Sequence, residues 1–517
     1  MIKALNPILK GFYPDPSVCR VGEDYYIVCS SFVYAPGVPI FHSKDLKHWE
    51  QIGNVLDRES QLPVSGEISR GIFAPTIREH DGIFYMITTN VSYGGNFIVT
   101  ATDPAGPWSD PYYLGDECPG IDPSLFFDDD GKCYYVGTRP NPEGVRYNGD
   151  WEIWVQELDL DTMKLTGESM AIWKGAVKDV IWPEGPHLYK RDGYYYLLHA
   201  EGGTGPEHAI SVARSKELFK WFEGCPRNPI FTHRNLGKDY PIIYAGHGDL
   251  VDDERGNSYI VMLASRPCKK HCSLGRETFL AKVIWEDGWP VINPGVGKLT
   301  DEVELDMTEH SFPKEIEASD TLHFYTDKLD DRLVGICKRD DSIYSLTKRP
   351  GFLRLYTRPE RIEDMCYPSY LGLRQKDYSF KVSSMVEFTP AQANECGGIV
   401  LFQNHENHLV VEIVQAQEGL ALQVRTVIKG KEDIVASHGL AEGRAQIEIT
   451  AQEQIASVWL IEGDDHILIK DDVDLIPYTT EEAGGFVGCT AGMYTSSNGK
   501  ESQNTCDFAW LTMSELV

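Results

Sequence analysis

Five short segments place a chemically distinctive residue at one recurring position. Asp15, Ala74, Asp122, Glu184 and His247 are each followed closely by an apolar residue, then by a turn glycine seven to nine residues on, then by an aromatic-rich run. Consecutive anchors lie 59, 48, 62 and 63 residues apart. One Asp-Pro dipeptide such as Asp15-Pro16 reads as turn chemistry. Acids in phase at three of five repeats ask for more, either as braces across a hub or as reacting groups facing one cavity. Crowded carboxylates push one another's pKa values apart, so that one stays protonated while another ionises. Hydrolysis of a glycosidic bond needs that division of labour, an acid for the leaving oxygen and a base for water. Acids spread around a channel, rather than touching, leave room for the water and favour inversion of configuration.

The elements that must carry these residues are β-hairpins. In each repeat a Gly-containing turn leads into a β-branched and aromatic strand, as in Asp81-Gly82 before Phe84-Tyr85-Met86-Ile87. Ser43–Trp49 and its near copy Ser215–Trp221 read as further strand-like pieces. Units of about four strands repeated every 40–60 residues define a β-propeller, whose inner strands bring one repeat position to the axis. Five repeats predict five blades over residues 1–300. A polar stretch from Asn293 to Lys314 reads as a linker. Residues 318–517 alternate in short runs such as Gly398-Ile399-Val400-Leu401-Phe402 and predict a β-sandwich, making the chain all-β.

The chain has 517 residues, with 48 Lys+Arg against 78 Asp+Glu, a net of −30. That charge argues against nucleic acid or an anionic membrane surface as a partner. No apolar run reaches the length of a membrane span. The N-terminus lacks a leader pattern and the 12 cysteines form no disulfide framework, so reduced thiols and a cytoplasmic location are expected. Asp128-Asp129-Asp130-Gly131 lacks the rest of a calcium loop and reads as a hairpin turn. Cys268-Lys269-Lys270-His271-Cys272 has no second ligand pair at zinc spacing and reads as a loop. Gly202-Gly203-Thr204-Gly205 lacks a following helix and reads as a pocket loop.

Gly11-Phe12-Tyr13-Pro14-Asp15-Pro16-Ser17, Gly120-Ile121-Asp122-Pro123-Ser124 and Trp182-Pro183-Glu184-Gly185-Pro186 resemble the three signature segments of glycoside hydrolase family 43. Ser31–Ile40, Glu201–Thr204 with Ala213-Arg214-Ser215, and Leu274–Phe279 resemble its β-xylosidase/α-L-arabinofuranosidase branch. Gly397–Asn404 and Asp507-Phe508-Ala509-Trp510 resemble that branch's C-terminal, concanavalin-like sandwich. The resemblance implies Asp15 as general base, Glu184 as general acid and Asp122 as the acid that orients Glu184 and tunes its pKa. It implies Arg276 as the holder of sugar hydroxyls, His247 at the pocket floor, and Phe32 and Phe73 as walls. Thr204 falls on the pocket loop, and Phe486 is the candidate aromatic by which the sandwich completes the pocket. Phe73 stands where the family often has Trp, and Ile121 where it often has a bulky aromatic, so xylose against arabinose preference is open. No cofactor is required, although relatives allow a divalent cation such as calcium beside His247. Relatives are also often homo-oligomers.

The expectation is an inverting exo-glycosidase releasing β-D-xylosyl units from short, imported xylo-oligosaccharides, with α-L-arabinofuranosidase side activity. The alternatives are chiefly an α-L-arabinofuranosidase on arabino-oligosaccharides, or a glycan-binding propeller without catalysis.

Overall fold

A computed structural model describes residues 1–310, 320–338 and 341–516. The first part is a propeller of five antiparallel sheets about one axis. The innermost strands are Ser17–Val21, Thr76–His80, Ile121–Phe127, Glu184–Arg191 and Ile243–Asp252, one per blade. Each leads through a tight turn into the second strand, with Gly22, Gly82, Gly131, Gly193 and Gly256 all at positive φ. That conformation is why glycine marks the repeat.

Residues just after the anchors, most of them two positions on, tie each blade to the next. Ser17 Oγ accepts from the Ile77 N–H, Thr76 Oγ1 donates to the Pro123 carbonyl, and Ser124 Oγ donates to the Pro186 carbonyl. Tyr189 then donates to Asp249, and Ser17 donates to Asp249 at 2.7 Å. The bonds run from blade one through blade five and back to blade one. Arg78 crosses the axis and grips Asp249 in bidentate fashion at 2.8 and 3.1 Å, while also donating to His187 Nδ1. The Arg78 guanidinium, with its neighbours, outweighs the effect of burial and holds Asp249 below the usual carboxylate range.

Ser43–Trp49 and Ser215–Trp221 differ from expectation. Strands end at Ser43 and Ser215, and the remaining residues turn. Ser43 Oγ accepts from the Asp45 and Leu46 N–H groups, and Asp45 accepts from Lys47 and His48, a local pattern that competes with strand pairing. The Asn293–Lys314 stretch also holds structure. Glu302–Leu305 pairs antiparallel with Ile2–Leu5, burying Val303 and Leu305 beside Ala4. Its period-two apolar pattern is only four residues long, too brief to stand out from a polar stretch. Residues 311–314 of that stretch, like 318 and 319, lie outside the described residues.

The second part is a sandwich of two antiparallel sheets. One contains six strands, with Thr490–Ser496 between Ser369–Arg374 and Cys396–Asn404. The other is built around Phe380–Glu387 and Thr505–Glu515. Leu371, Ile399, Val411, Ile447, Val458 and Leu511 pack in its core. The outer face of the six-stranded sheet packs on the first two blades, so that Tyr370, Val400, Phe402 and Tyr494 share one cluster with Phe12, Phe32, Val55 and Ile72. Gly335–Ile336 adds to this joint by pairing with Tyr34–Ala35 of blade one. The sandwich therefore holds its loops at a fixed place over the propeller.

Candidate active site

The anchors owe their direction to the backbone. Asp15, Asp122 and His247 are non-glycine residues at positive φ (53°, 52° and 45°), and Gly185, next to Glu184, sits at 56°. Pairing registers break between Ile121 and Ser124, Glu184 and His187, and Gly246 and Gly248. Such bulges re-aim side chains at the end of a strand. Here the anchors converge on the axis above the inter-blade bonds. One small cavity, about 80 Å³, is lined by Asp15, Phe32, Phe73, Asp122, Glu184, Thr204, His247, Arg276 and Phe486, together with Ala74, Ile121, His208 and Leu263. All nine residues singled out from the sequence meet there.

Three acids share this cavity in unlike surroundings. Asp15 Oδ1 accepts from Arg276 Nη1 at 2.7 Å, its Oδ2 accepts from Ser30 Oγ at 2.6 Å, and His247 Nδ1 lies 3.9 Å away. Burial alone would raise this carboxyl, but Arg276, His247 and Ser30 outweigh it and hold Asp15 below the usual range. Asp122 accepts from the Gly185 N–H at 3.1 Å. Burial, with Asp15 nearby, pushes it up to about 6. Among the described residues no cation is bonded to Glu184. Burial, then the charges of Asp122 and Asp15, carry it well above the usual carboxyl range. One acid is thus biased toward its ionised form and another toward its protonated form.

The walls are aromatic. The ring centroids of Phe32 and Phe73 lie 5.4 Å apart, and Phe486 stands 6.1 Å from Phe32 and 6.4 Å from Phe73. Phe486 belongs to the sandwich loop before Thr490–Ser496. Its N–H donates to Ser69 Oγ at 2.8 Å, and its carbonyl accepts weakly from Arg276 Nη2 at 3.5 Å. Thr204 Oγ1 also accepts from Arg276. The His247 ring packs against Gly185, where a Cβ would come within 2.8 Å of it. Its Nδ1 faces Asp15, and no set of three metal ligands surrounds it among the described residues.

Ser30 and His208 were not singled out from the sequence. Ser30 follows the second strand of blade one, outside the repeated anchor position. His208 lies between the pocket loop at Thr204 and Ala213-Arg214-Ser215, and only that proximity pointed toward it.

A five-bladed propeller with three differently tuned acids in an axial well, roofed by a sandwich loop, defines a glycoside hydrolase. Residues 4–290 match the model for glycosyl hydrolases family 43, and residues 321–514 match that for the beta-xylosidase C-terminal concanavalin A-like domain. The chain belongs to glycoside hydrolase family 43 and is an enzyme of the β-xylosidase/α-L-arabinofuranosidase type. It is 70% identical over 517 residues, the full length of both chains, to a xylosidase/arabinosidase of Butyrivibrio fibrisolvens. It is 37% identical to a non-reducing end alpha-L-arabinofuranosidase of Bacteroides ovatus, across 98% of this chain and 93% of that one. Its fold matches the crystal structure of xylan beta-1,4-xylosidase from Bacillus halodurans with a TM-score of 0.93 and 35% identity, covering 99% of this chain and 100% of that one.

Proposed function

We propose that this enzyme is an inverting exo-glycosidase that removes terminal β-D-xylosyl residues from short xylo-oligosaccharides, with α-L-arabinofuranosidase activity in the same well. The observation that carries the mechanism is the opposite tuning of Asp15 and Glu184 across one cavity. Asp15, ionised, takes a proton from water as its oxygen bonds to the anomeric carbon. Glu184, protonated, gives its proton to the departing glycosidic oxygen as the C–O bond breaks. Asp122 keeps Glu184 protonated by its charge and fixes it through the Gly185 N–H. Arg276 holds Asp15 ionised and offers its fork of donors to sugar hydroxyls. The Phe32, Phe73 and Phe486 walls receive the terminal ring. Side chains alone carry this scheme, with no cofactor.

Phe73 and Ile121 both line the well, and neither is as broad as Trp, which favours a smaller furanose ring beside them. Arabinofuranoside cleavage is therefore the second reading. We further propose a cytoplasmic homo-oligomer that takes short imported chains; all twelve cysteines are free thiols, and the net charge of −30 disfavours nucleic acid and anionic membranes.

NMR of the first-formed anomer tests the mechanism, since retention would remove Asp15 as base to water. Glu184→Ala should lose about 10²- to 10⁴-fold on alkyl aglycones and far less on activated aryl ones. Undiminished hydrolysis would contradict that role. Relative kcat/KM on aryl β-D-xylopyranoside and α-L-arabinofuranoside decides the preferred sugar.

A further inference from the structure

His208 precedes the Ala209–Ser215 strand of blade four and is 1% exposed, yet it lines the well beside Asp15, Thr204 and Arg276. Its Nδ1 lies 2.9 Å from the Tyr244 carbonyl oxygen. A carbonyl can only accept, so Nδ1 carries the hydrogen and Nε2 presents a bare lone pair. Burial pulls this histidine down to about 3, so the ring stays neutral at working pH. Nε2 has no hydrogen-bond partner among the described residues. The ring also has space kept for it, because a Cβ at Gly246 would fall 2.4 Å from its atoms. Arg276, which also lines the well, has a buried Nε that is likewise without a partner among the described residues. An unpaired acceptor on a residue that lines the cavity suits a hydroxyl group, which can donate to it. Leaving a buried polar group unpaired is costly, so such groups favour a ligand that satisfies them.

We propose that His208 Nε2 accepts a hydrogen bond from one hydroxyl of the sugar seated in the well, making His208 a sugar-binding residue that selects for that hydroxyl. This rests on the pentosidase reading above. It differs from the positions of Arg276 and Asp15 in offering a neutral acceptor whose tautomer the Tyr244 carbonyl has already fixed.

The test is a cycle between protein and substrate. Wild type and His208→Phe are assayed for kcat/KM on 4-nitrophenyl β-D-xylopyranoside and on its 2-, 3- and 4-deoxy analogues. The substitution should cost about 10- to 100-fold on the parent and no more than about threefold on one analogue, the one lacking the partner hydroxyl. An equal loss on all four substrates overturns the proposal, since that is what a merely structural histidine would give. His208→Gln returns an acceptor oxygen and carries the test if the Phe variant fails to fold. Its smaller penalty should vanish on the same single analogue, and a uniform penalty in folded Gln protein likewise overturns the assignment. If the wild type prefers arabinofuranosides, the cycle is run on their deoxy series. Wild-type protein inert toward both pentosides would refute the glycosidase reading, an outcome distinct from active wild type with a uniform His208 penalty.

Discussion

Ser30→Ala probes how the base is kept ionised. Ser30 is fully buried and donates to Asp15 Oδ2 at 2.6 Å, while Arg276 holds the other oxygen. A hydrogen bond to a charged group contributes about 1.5–3 kcal/mol, and a protonated carboxyl would keep roughly half of that. The difference, about 0.8–1.5 kcal/mol, corresponds to about half to one pH unit. The bond favours the ionised form, so losing it raises the Asp15 pKa. The acid limb of kcat/KM should then move up by about half to one unit, read from pH 3.5 to 7 on an aryl pentoside. Asp15 starts below its ordinary value, so it remains ionised at pH 7 and the neutral rate should hold within about threefold. Because its folded pKa is depressed, Asp15 contributes stability above its unfolded pKa and loses it as pH falls through the folded value. The variant should therefore melt lower at neutral pH, with the difference closing in acid. A limb that stays in place, or moves down, would refute the assignment of Asp15 as the titrating base.

Asp122→Asn keeps an acceptor for the Gly185 N–H but removes the charge that helps hold Glu184 protonated. The basic limb of kcat/KM should fall by about one to two pH units, and an unmoved limb would separate Asp122 from the tuning of the acid. Asp249→Asn leaves the partly buried Arg78 without its charge partner and should destabilise the propeller by about 2–4 kcal/mol. Denaturant midpoints check this, and an unchanged midpoint would deny the axial ion pair a structural role. Asp249 too is held low in the folded state, so its contribution is present above the unfolded pKa and fades as pH drops through the folded one.

The blades and their acids were legible because a repeat writes the same structural position several times, and phase survives even where residue type changes, as at Ala74. The hydroxyl-bearing residues two places on, Ser17, Thr76 and Ser124, were in view in the same motifs. Their inter-blade bonds depend on packing that no single repeat contains. Ser30 reaches Asp15, and His208 the well, from positions that do not recur, so no repeat marked them. Phe486 was reached through family likeness alone, because its N–H meets Ser69 across 417 residues of chain. Glu302–Leu305 was hidden for a different reason. Its partner is the N-terminal strand, and four residues of alternation carry little signal.

The Arg78–Asp249 pair lies beneath the anchors, and its Arg78 also borders a second cavity lined by Leu125–Phe127, Leu188–Arg191 and Leu250–Asp252. It turns what could have been a tunnel into a well with one door. A glycan cannot be threaded through the axis, so each encounter yields a single cut at a chain end rather than a run of cuts along the strand. The liberated sugar must leave by the entrance the next chain needs. Turnover at high product concentration is therefore governed by traffic at that entrance as well as by the acids inside.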